Sequence, residues 1–308
     1  MRSLLLVLAA LSCVAPAAAQ DKAIRISGSR ADGRLIGRLE AGFRQSHPGQ
    51  RFADSLHGPE STLAGIYTGT ADVAFMAREL REPMERMAYE WAMLQPPLAL
   101  EIATGGITKA RPSDQLGIFV NVANPVAKLD LAQLGAIFGA DHAASGWSEV
   151  GGPTARPIHA YGVDVESTDA LFFRRSALHD SRKWRATYRA EPDARAALAA
   201  VAADPDGITF APVAAARPGV RLVAIADTTG AAVIPAAADI QARRYPLLRV
   251  VKIVVAHAKG APVAPATRAF ATFLLSPEGQ AILAADGAYF PLPPAEAARQ
   301  RGLLDATQ

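Results

Sequence analysis

Cysteine is all but missing from this chain: of 308 residues only Cys13 carries a thiol, and it lies in an apolar run at the N-terminus. If that run is removed on export, nothing is left to form a disulfide, hold zinc through sulfur or act as a thiolate nucleophile. Histidine is sparse as well. His47, His57, His142, His159, His179 and His257 are dispersed, and no two stand at the H-x-x-x-H spacing of a helical metal site. A Ser-His-Asp triad needs no fixed order along a chain, but the Gly-x-Ser-x-Gly elbow that exposes a nucleophile is missing too. The chain is therefore expected to be neither an enzyme nor a metalloprotein, and to carry no cofactor. There is little charge of either sign to spare: 32 Lys and Arg against 29 Asp and Glu leave a formal charge of +3, and the basic residues are scattered among acids. No basic stripe marks a nucleic-acid surface.

The one long apolar run explains itself by its flanks. Met1-Arg2 is followed by apolar residues from Leu4 to Val14, then Ala17-Ala18-Ala19 before Gln20-Asp21. Charged start, apolar middle and small-residue end are the order of a secretory signal. A leader over residues 1–20 and a periplasmic mature protein are expected. A membrane anchor would need roughly 20 apolar residues, more than are present. A lipid-modified Cys13 is weaker, because Ala10 stands where such signals carry a Leu three before the cysteine.

Half of the residues are apolar, enough for a substantial core. Strand and helix patterns then alternate, which marks an α/β protein. Ala23 to Ile26 alternates as a short strand, Ser27-Gly28-Ser29 follows, and Leu35, Ile36, Leu39 and Phe43 stand at helical spacing. A small-residue loop at a helix N-terminus offers backbone N–H groups and hydroxyls to an anion, or simply caps the helix. The unit recurs: a strand through residues 51–56, the turn Gly58 to Thr62 and a helix from Leu63 to Tyr67. Val73 to Met76 is an apolar strand ending at Ala77-Arg78, the edge at which open α/β sheets bind ligands. Arg78 is there either as an anion fork or as one half of an ion pair. Further strands are expected at Leu98–Thr104, Leu116–Val122, Ile158–Tyr161, Gly207–Phe210, Val220–Ile225 and Val250–Val255. Helices are expected after Asp130 and over Asp169–Leu178, Ala194–Ala203 and Thr267–Leu275. No repeat or low-complexity tether appears, so a second lobe would be interwoven through crossovers.

Taken in order, several segments resemble the phosphate-binding-protein family of bacterial substrate-binding proteins. They are Ile26-Ser27-Gly28-Ser29; Gly69-Thr70-Ala71-Asp72-Val73-Ala74 with Ala77-Arg78; Asn124-Pro125 through Leu131-Ala132-Gln133-Leu134 to Ile137-Phe138-Gly139 and Trp147; Asp204 to Phe210; Tyr245-Pro246-Leu247-Leu248-Arg249; and Phe273 to Gln280. The resemblance implies a type II periplasmic binding protein fold with two interwoven α/β lobes. Residues 21–104 plus 245–300 would form the first lobe and 105–244 the second, with 301–308 as a tail. It implies a monomer that closes on a small anionic or polar ligand, phosphate or a related oxyanion, and hands it to an ABC permease in the inner membrane. The ligand loops it implies are Ser27-Gly28-Ser29, Ser61-Thr62 and Glu166-Ser167-Thr168, with Arg78 near the second.

The third loop departs from the pattern. Similar proteins carry an Arg, three residues, Ser-Gly-Thr, then a Phe four after the Thr; aligned on Thr168 and Phe172, this chain has Gly162 for the Arg and Glu166-Ser167-Thr168 for Ser-Gly-Thr. Arg78 becomes the expected main cation, ahead of Arg30. A carboxylate at Glu166 facing the cleft would repel a dianion, whereas one turned to solvent would not matter. The departure also opens two alternatives: a divergent receptor for another small organic or phosphorylated ligand, or an interaction or sensory protein that no longer binds phosphate.

Overall fold

The computed structural model describes residues 22–108 and 114–307; the expected leader and Cys13 lie outside them. The alternating start becomes strand β1 (Ile24–Ser27), with Ile24 and Ile26 turned into a core and Arg25 held at the surface by Asp72. Helix α1 (Gly33–Ser46) buries Leu35, Ile36, Leu39 and Phe43, the stripe read from their spacing. Strand β2 (Phe52–Ser55), the one-turn helix α2 (Ala64–Tyr67), β3 (Val73–Met76), helix α3 (Met84–Met93) and β4 (Leu98–Gly105) follow.

The chain then leaves this sheet for a second one. Its elements are β5 (Leu116–Asn121), β6 (Lys128–Leu129), α4 (Leu131–Phe138), β7 (His159–Gly162), α5 (Thr168–Ala177), β8 (Arg189–Ala190), α6 (Ala194–Ala203), β9 (Gly207–Pro212), β10 (Val220–Ala226), β11 (Ala232–Val233) and α7 (Ala237–Gln241). Asp130 starts α4 through a reciprocal cap with Gln133, an arrangement worth about 1 kcal/mol. The chain returns as β12 (Val250–Val255), α8 (Pro265–Leu274), α9 (Pro277–Asp286), β13 (Tyr289–Pro291) and α10 (Pro294–Asp305), whose Leu304 is buried in the first core.

Two mixed sheets result. The first has six strands in the order β13-β4-β12-β3-β1-β2, and the second seven, in the order β11-β10-β5-β9-β7-β8 with β6 beside β10. β1 runs parallel to β2 and β3, so their C-terminal ends and the loops that leave them share one edge. Each sheet has its own core. Phe43 and Phe270 anchor the first, and Trp147, Phe138, Phe173 and Phe210 the second. Tyr245 and Leu247 still pack in the second core while Val251 is in the first, so the returning crossover falls between them.

Gln115 ties the two crossovers together. Fully buried, it donates from Nε2 to the carbonyls of Gly105 and Arg249 (both 3.0 Å) and accepts from the Arg249 N–H at 2.9 Å. Among the described residues no helix is long and apolar enough to cross a membrane.

Candidate functional site

The first two of the expected ligand loops meet. Ser27 ends β1 and is buried, and its hydroxyl donates to the Thr62 carbonyl at 2.7 Å. Gly28 is pressed between side chains, since a Cβ there would lie 3.2 Å from Leu56 and 3.5 Å from Phe75. Ser29 accepts from the N–H of Ala31 at 3.2 Å and so caps a 3-10 turn, Arg30–Asp32. Asp32, buried, stands at the N-cap of α1 and accepts from the Tyr289 hydroxyl at 2.8 Å. The positive end of α1 therefore already faces a carboxylate of the chain itself. Arg30 is exposed.

The second loop folds on its own backbone. Thr62, buried, and Ser61, exposed, both donate to the Gly58 carbonyl, at 2.9 and 3.3 Å. A hydroxyl has one proton, so Ser27, Ser61 and Thr62 have each committed the donor that an oxyanion would need. Ser29, Thr62 and Arg78 line one small gap of about 10 Å³ at the ends of β1 and β3. Such a gap is about the size of one water molecule.

Arg78 is buried with its guanidinium enclosed by the chain. Glu85 takes both of its Nη atoms, at 2.8 and 2.6 Å, and the carbonyls of Glu79 and Pro59 accept from it at 2.8 and 2.7 Å. Burial opposes its charge, but the hydrogen bonds it donates to Glu85 and the charges of Glu85, Glu60 and Glu79 outweigh burial and hold it protonated. Its Nε is buried and has no hydrogen-bond partner among the described residues. The ion-pair reading of Arg78 thus describes this conformation, with the anion-fork geometry spent on Glu85.

The third loop begins α5. Ser167 caps the helix by accepting from the Ala170 N–H at 3.2 Å, and Thr168 is half-buried beside it. Glu166 is exposed, and its N–H donates to Asp164 at 2.8 Å. At Gly162, where similar proteins have Arg, a Cβ would overlap the Tyr188 hydroxyl, which donates to the Val163 carbonyl. A tyrosine has taken the place into which a side chain at 162 would grow.

The sequence reading missed what joins the third loop to the first lobe. Arg249, 0% exposed, donates to Asp169 at the start of α5 (2.7 Å) and to Glu79 next to Arg78 (3.1 Å), and lies over the Phe172 ring at 5.0 Å. Burial works against its charge, and Glu79 and Asp169 more than restore it. Arg175 of α5 adds a second link, donating to the Leu80 carbonyl at 3.1 Å and standing 3.8 Å from Glu82. Arg249 was visible in Tyr245-Pro246-Leu247-Leu248-Arg249 as part of the resemblance, but nothing local says that its partners are 80 and 170 residues away. Among the described residues no cluster of three or more His, Cys, Asp or Glu could hold a metal.

Known proteins share this architecture. A phosphate-binding protein PstS of Pseudomonas aeruginosa is 26% identical over 264 residues, which is 82% of this chain and 77% of that protein. The crystal structure of an ABC-type phosphate transport receptor from Vibrio cholerae superposes with a TM-score of 0.61 at 21% identity, over 88% of this chain and 100% of the other. PstS from Borrelia burgdorferi gives a TM-score of 0.61 at 15% identity, over 89% and 100%. At these identities the solved structures speak for the two-lobed fold. The family model described as PBP superfamily domain matches residues 14–278, and with that match spanning both sheets, the chain belongs to the PBP superfamily.

Proposed function

We propose that the protein is an exported solute-binding receptor that closes its two lobes on a small oxyanion of the phosphate class and delivers it to an ABC permease. The observation that carries this reading is the meeting of Ser29, Thr62 and Arg78 around one gap at the C-terminal ends of parallel strands. Ligands bind at that edge in open α/β sheets. The Ser167-Thr168 start of α5 stands beside Asp169, which reaches the same region through Arg249 and Glu79. The relatives named for phosphate binding support the choice of ligand class. The receptor is proposed to act as a monomer in the periplasm.

A second reading has its own support: the ligand is an oxyanion carrying less than two charges, or one with a hydroxyl that donates. Both guanidiniums near the gap are forked by carboxylates, Arg78 by Glu85 and Arg249 by Glu79 and Asp169. A dianion would have to displace Glu85 from Arg78 or share it, at a cost in like-charge repulsion. Calorimetry with inorganic phosphate at about pH 5 and about pH 8, one either side of the second ionisation of phosphate, separates the two. Tighter binding at the alkaline pH supports phosphate dianion, and tighter binding at the acid pH supports the less charged ligand. If phosphate, phosphonates and phosphorylated small molecules all leave thermal stability unchanged at both pH values, the receptor reading fails; a ligand at 100 times its Kd adds about 2.7 kcal/mol.

A further inference from the structure

Strand β12 carries a residue that its surroundings do not explain. Val251, Ile253 and Val255 enter the first core, so Val250, Lys252 and Val254 face the other side of the sheet. That side is apolar. Val254 packs there with Met76 and Ala74, and Lys252 pairs in register with Met76 on β3. A half-buried ammonium in the middle of a central strand needs a counter-ion. Glu101 stands directly opposite Lys252 on β4 but pairs with Arg243 at 2.9 Å, and the other carboxylates nearby are committed as well: Glu79 to Arg249, Glu85 to Arg78, and Glu82 to Arg175 and Arg86. Among the described residues the side chain of Lys252 has neither a hydrogen bond nor an ion pair.

Lys252 lines a cavity of about 340 Å³ at the seam between the lobes, at the lower end of the range of small-molecule sites. Its floor is the apolar sheet face of Met76, Ala99, Val250 and Val254, and α5 closes it with Phe172 and Arg175 from the second lobe. It lies on the α2 and α3 side of the sheet, away from Ser29 and Thr62, which line only the smaller gap beyond Arg78.

We propose that this cavity is a second ligand site, for a small monocarboxylate with an apolar tail. The carboxylate pairs with Lys252, and the tail lies on Val250, Val254, Ala99 and Phe172. One uncommitted cation matches one negative charge; Glu79 and Glu82 in the wall disfavour a dianion. Because Phe172 and Arg175 belong to the second lobe, the bound molecule touches both lobes and favours their present arrangement. The inference rests on Lys252 and not on Ser29, Thr62 or the third loop; Arg78, which lines both this cavity and the small gap, is held by Glu85 and is not asked to bind the carboxylate.

The test uses the mature chain with hexanoate and phenylacetate as probes, hexanamide as the uncharged control and succinate as the dianion, read by calorimetry and by thermal unfolding. Hexanoate and phenylacetate bind saturably and raise the melting temperature, and hexanamide and succinate bind at least about tenfold more weakly, as expected for the loss of a charge-assisted hydrogen bond or the addition of a repelled charge. Lys252→Met loses about tenfold or more in affinity for both probes, and Ala99→Phe, which fills the floor, abolishes binding. Absence of any response to both probes in the unmodified protein overturns the proposal, as does undiminished binding by Lys252→Met. If Lys252→Met does not fold, Ala99→Phe decides: blocked binding upholds the site, and retained binding rejects it.

Discussion

Two guanidiniums, Arg78 and Arg249, are both buried and both forked by carboxylates, yet they do different work. Arg78 closes on Glu85, seven residues away, inside one lobe. Arg249 reaches Asp169 and Glu79, which are 80 and 170 residues away and belong to different lobes. The first is a local clamp that shapes a loop. The second is a bridge whose strength depends on how the lobes stand. Similar chemistry on paper thus contributes to loop shape in one case and to closure in the other.

The largest effect is expected from breaking the bridge. Arg249→Ala strands Glu79 and Asp169 opposite each other and costs about 3–5 kcal/mol, on the order of 10 °C in melting temperature for a chain of this size. Scanning calorimetry checks it, and a fall of only a degree or two would make Arg249 another local clamp. Arg78→Ala should cost less stability, about 1–3 kcal/mol, because Glu85, whose side chain is 18% exposed, can take up water. It should instead weaken oxyanion binding roughly tenfold to a hundredfold, read by calorimetry. A pattern in which Arg249→Ala loses only affinity and Arg78→Ala only stability would invert the comparison.

Smaller effects sharpen the contrast in the third loop. Gly162→Ala drives a methyl into the Tyr188 hydroxyl and should destabilise by about 1–3 kcal/mol, with Tyr188→Phe recovering part of the loss in a double-mutant cycle. Equal losses with and without the Tyr188 hydroxyl would mean that the clash lies elsewhere. A carboxylate cluster far from the seam calibrates the pH response. Burial, with help from Asp54 and against Arg44, raises the Glu40 carboxyl to about 7 from its ordinary 4.5. A raised carboxyl favours the protonated fold, so its contribution is complete below about pH 4.5 and is lost as pH climbs through 7. Glu40→Gln should therefore match the wild type near pH 4.5 and exceed it by a few degrees in melting temperature near pH 8. The smallest effect belongs to Glu166, exposed and, among the described residues, without a side-chain partner. Glu166→Ser should change stability by less than about 0.5 kcal/mol and leave oxyanion affinity nearly unchanged, whereas a clear gain in phosphate affinity would return that carboxylate to the cleft.

The sequence was most legible where one face of an element is buried. β3, α6 and β12 have the bounds that their patterns imply. Helix α3 was invisible because its pattern is inverted: Met84, Met87 and Trp91 are exposed and only Tyr89 is buried. Among the candidate site residues, Ser27 and Arg78 could be picked out because strand ends are local features, and Thr62 because a Gly-Pro turn precedes it. Glu79, Asp169 and Arg249 could not be joined, since each is an ordinary surface-type residue until the fold brings distant segments together. The fate of Gly162 was hidden for the same reason, being decided by Tyr188 on a neighbouring segment.

The side chain of Gln115 holds both crossovers at one point. Three hydrogen bonds from a single amide fasten the outgoing Gly105 to the incoming Arg249. Two strips of chain pinned together resist sliding past each other, so in the proposed receptor rotation about that pin is the motion the crossovers leave easiest. The arc swept by any residue then grows with its distance from Gln115. The backbone of Arg249 stays on the axle while its guanidinium holds both doors. In the proposed receptor, opening would strain first the contacts far from the pin, such as Arg175 with Leu80 and Glu82, and last those of Arg249.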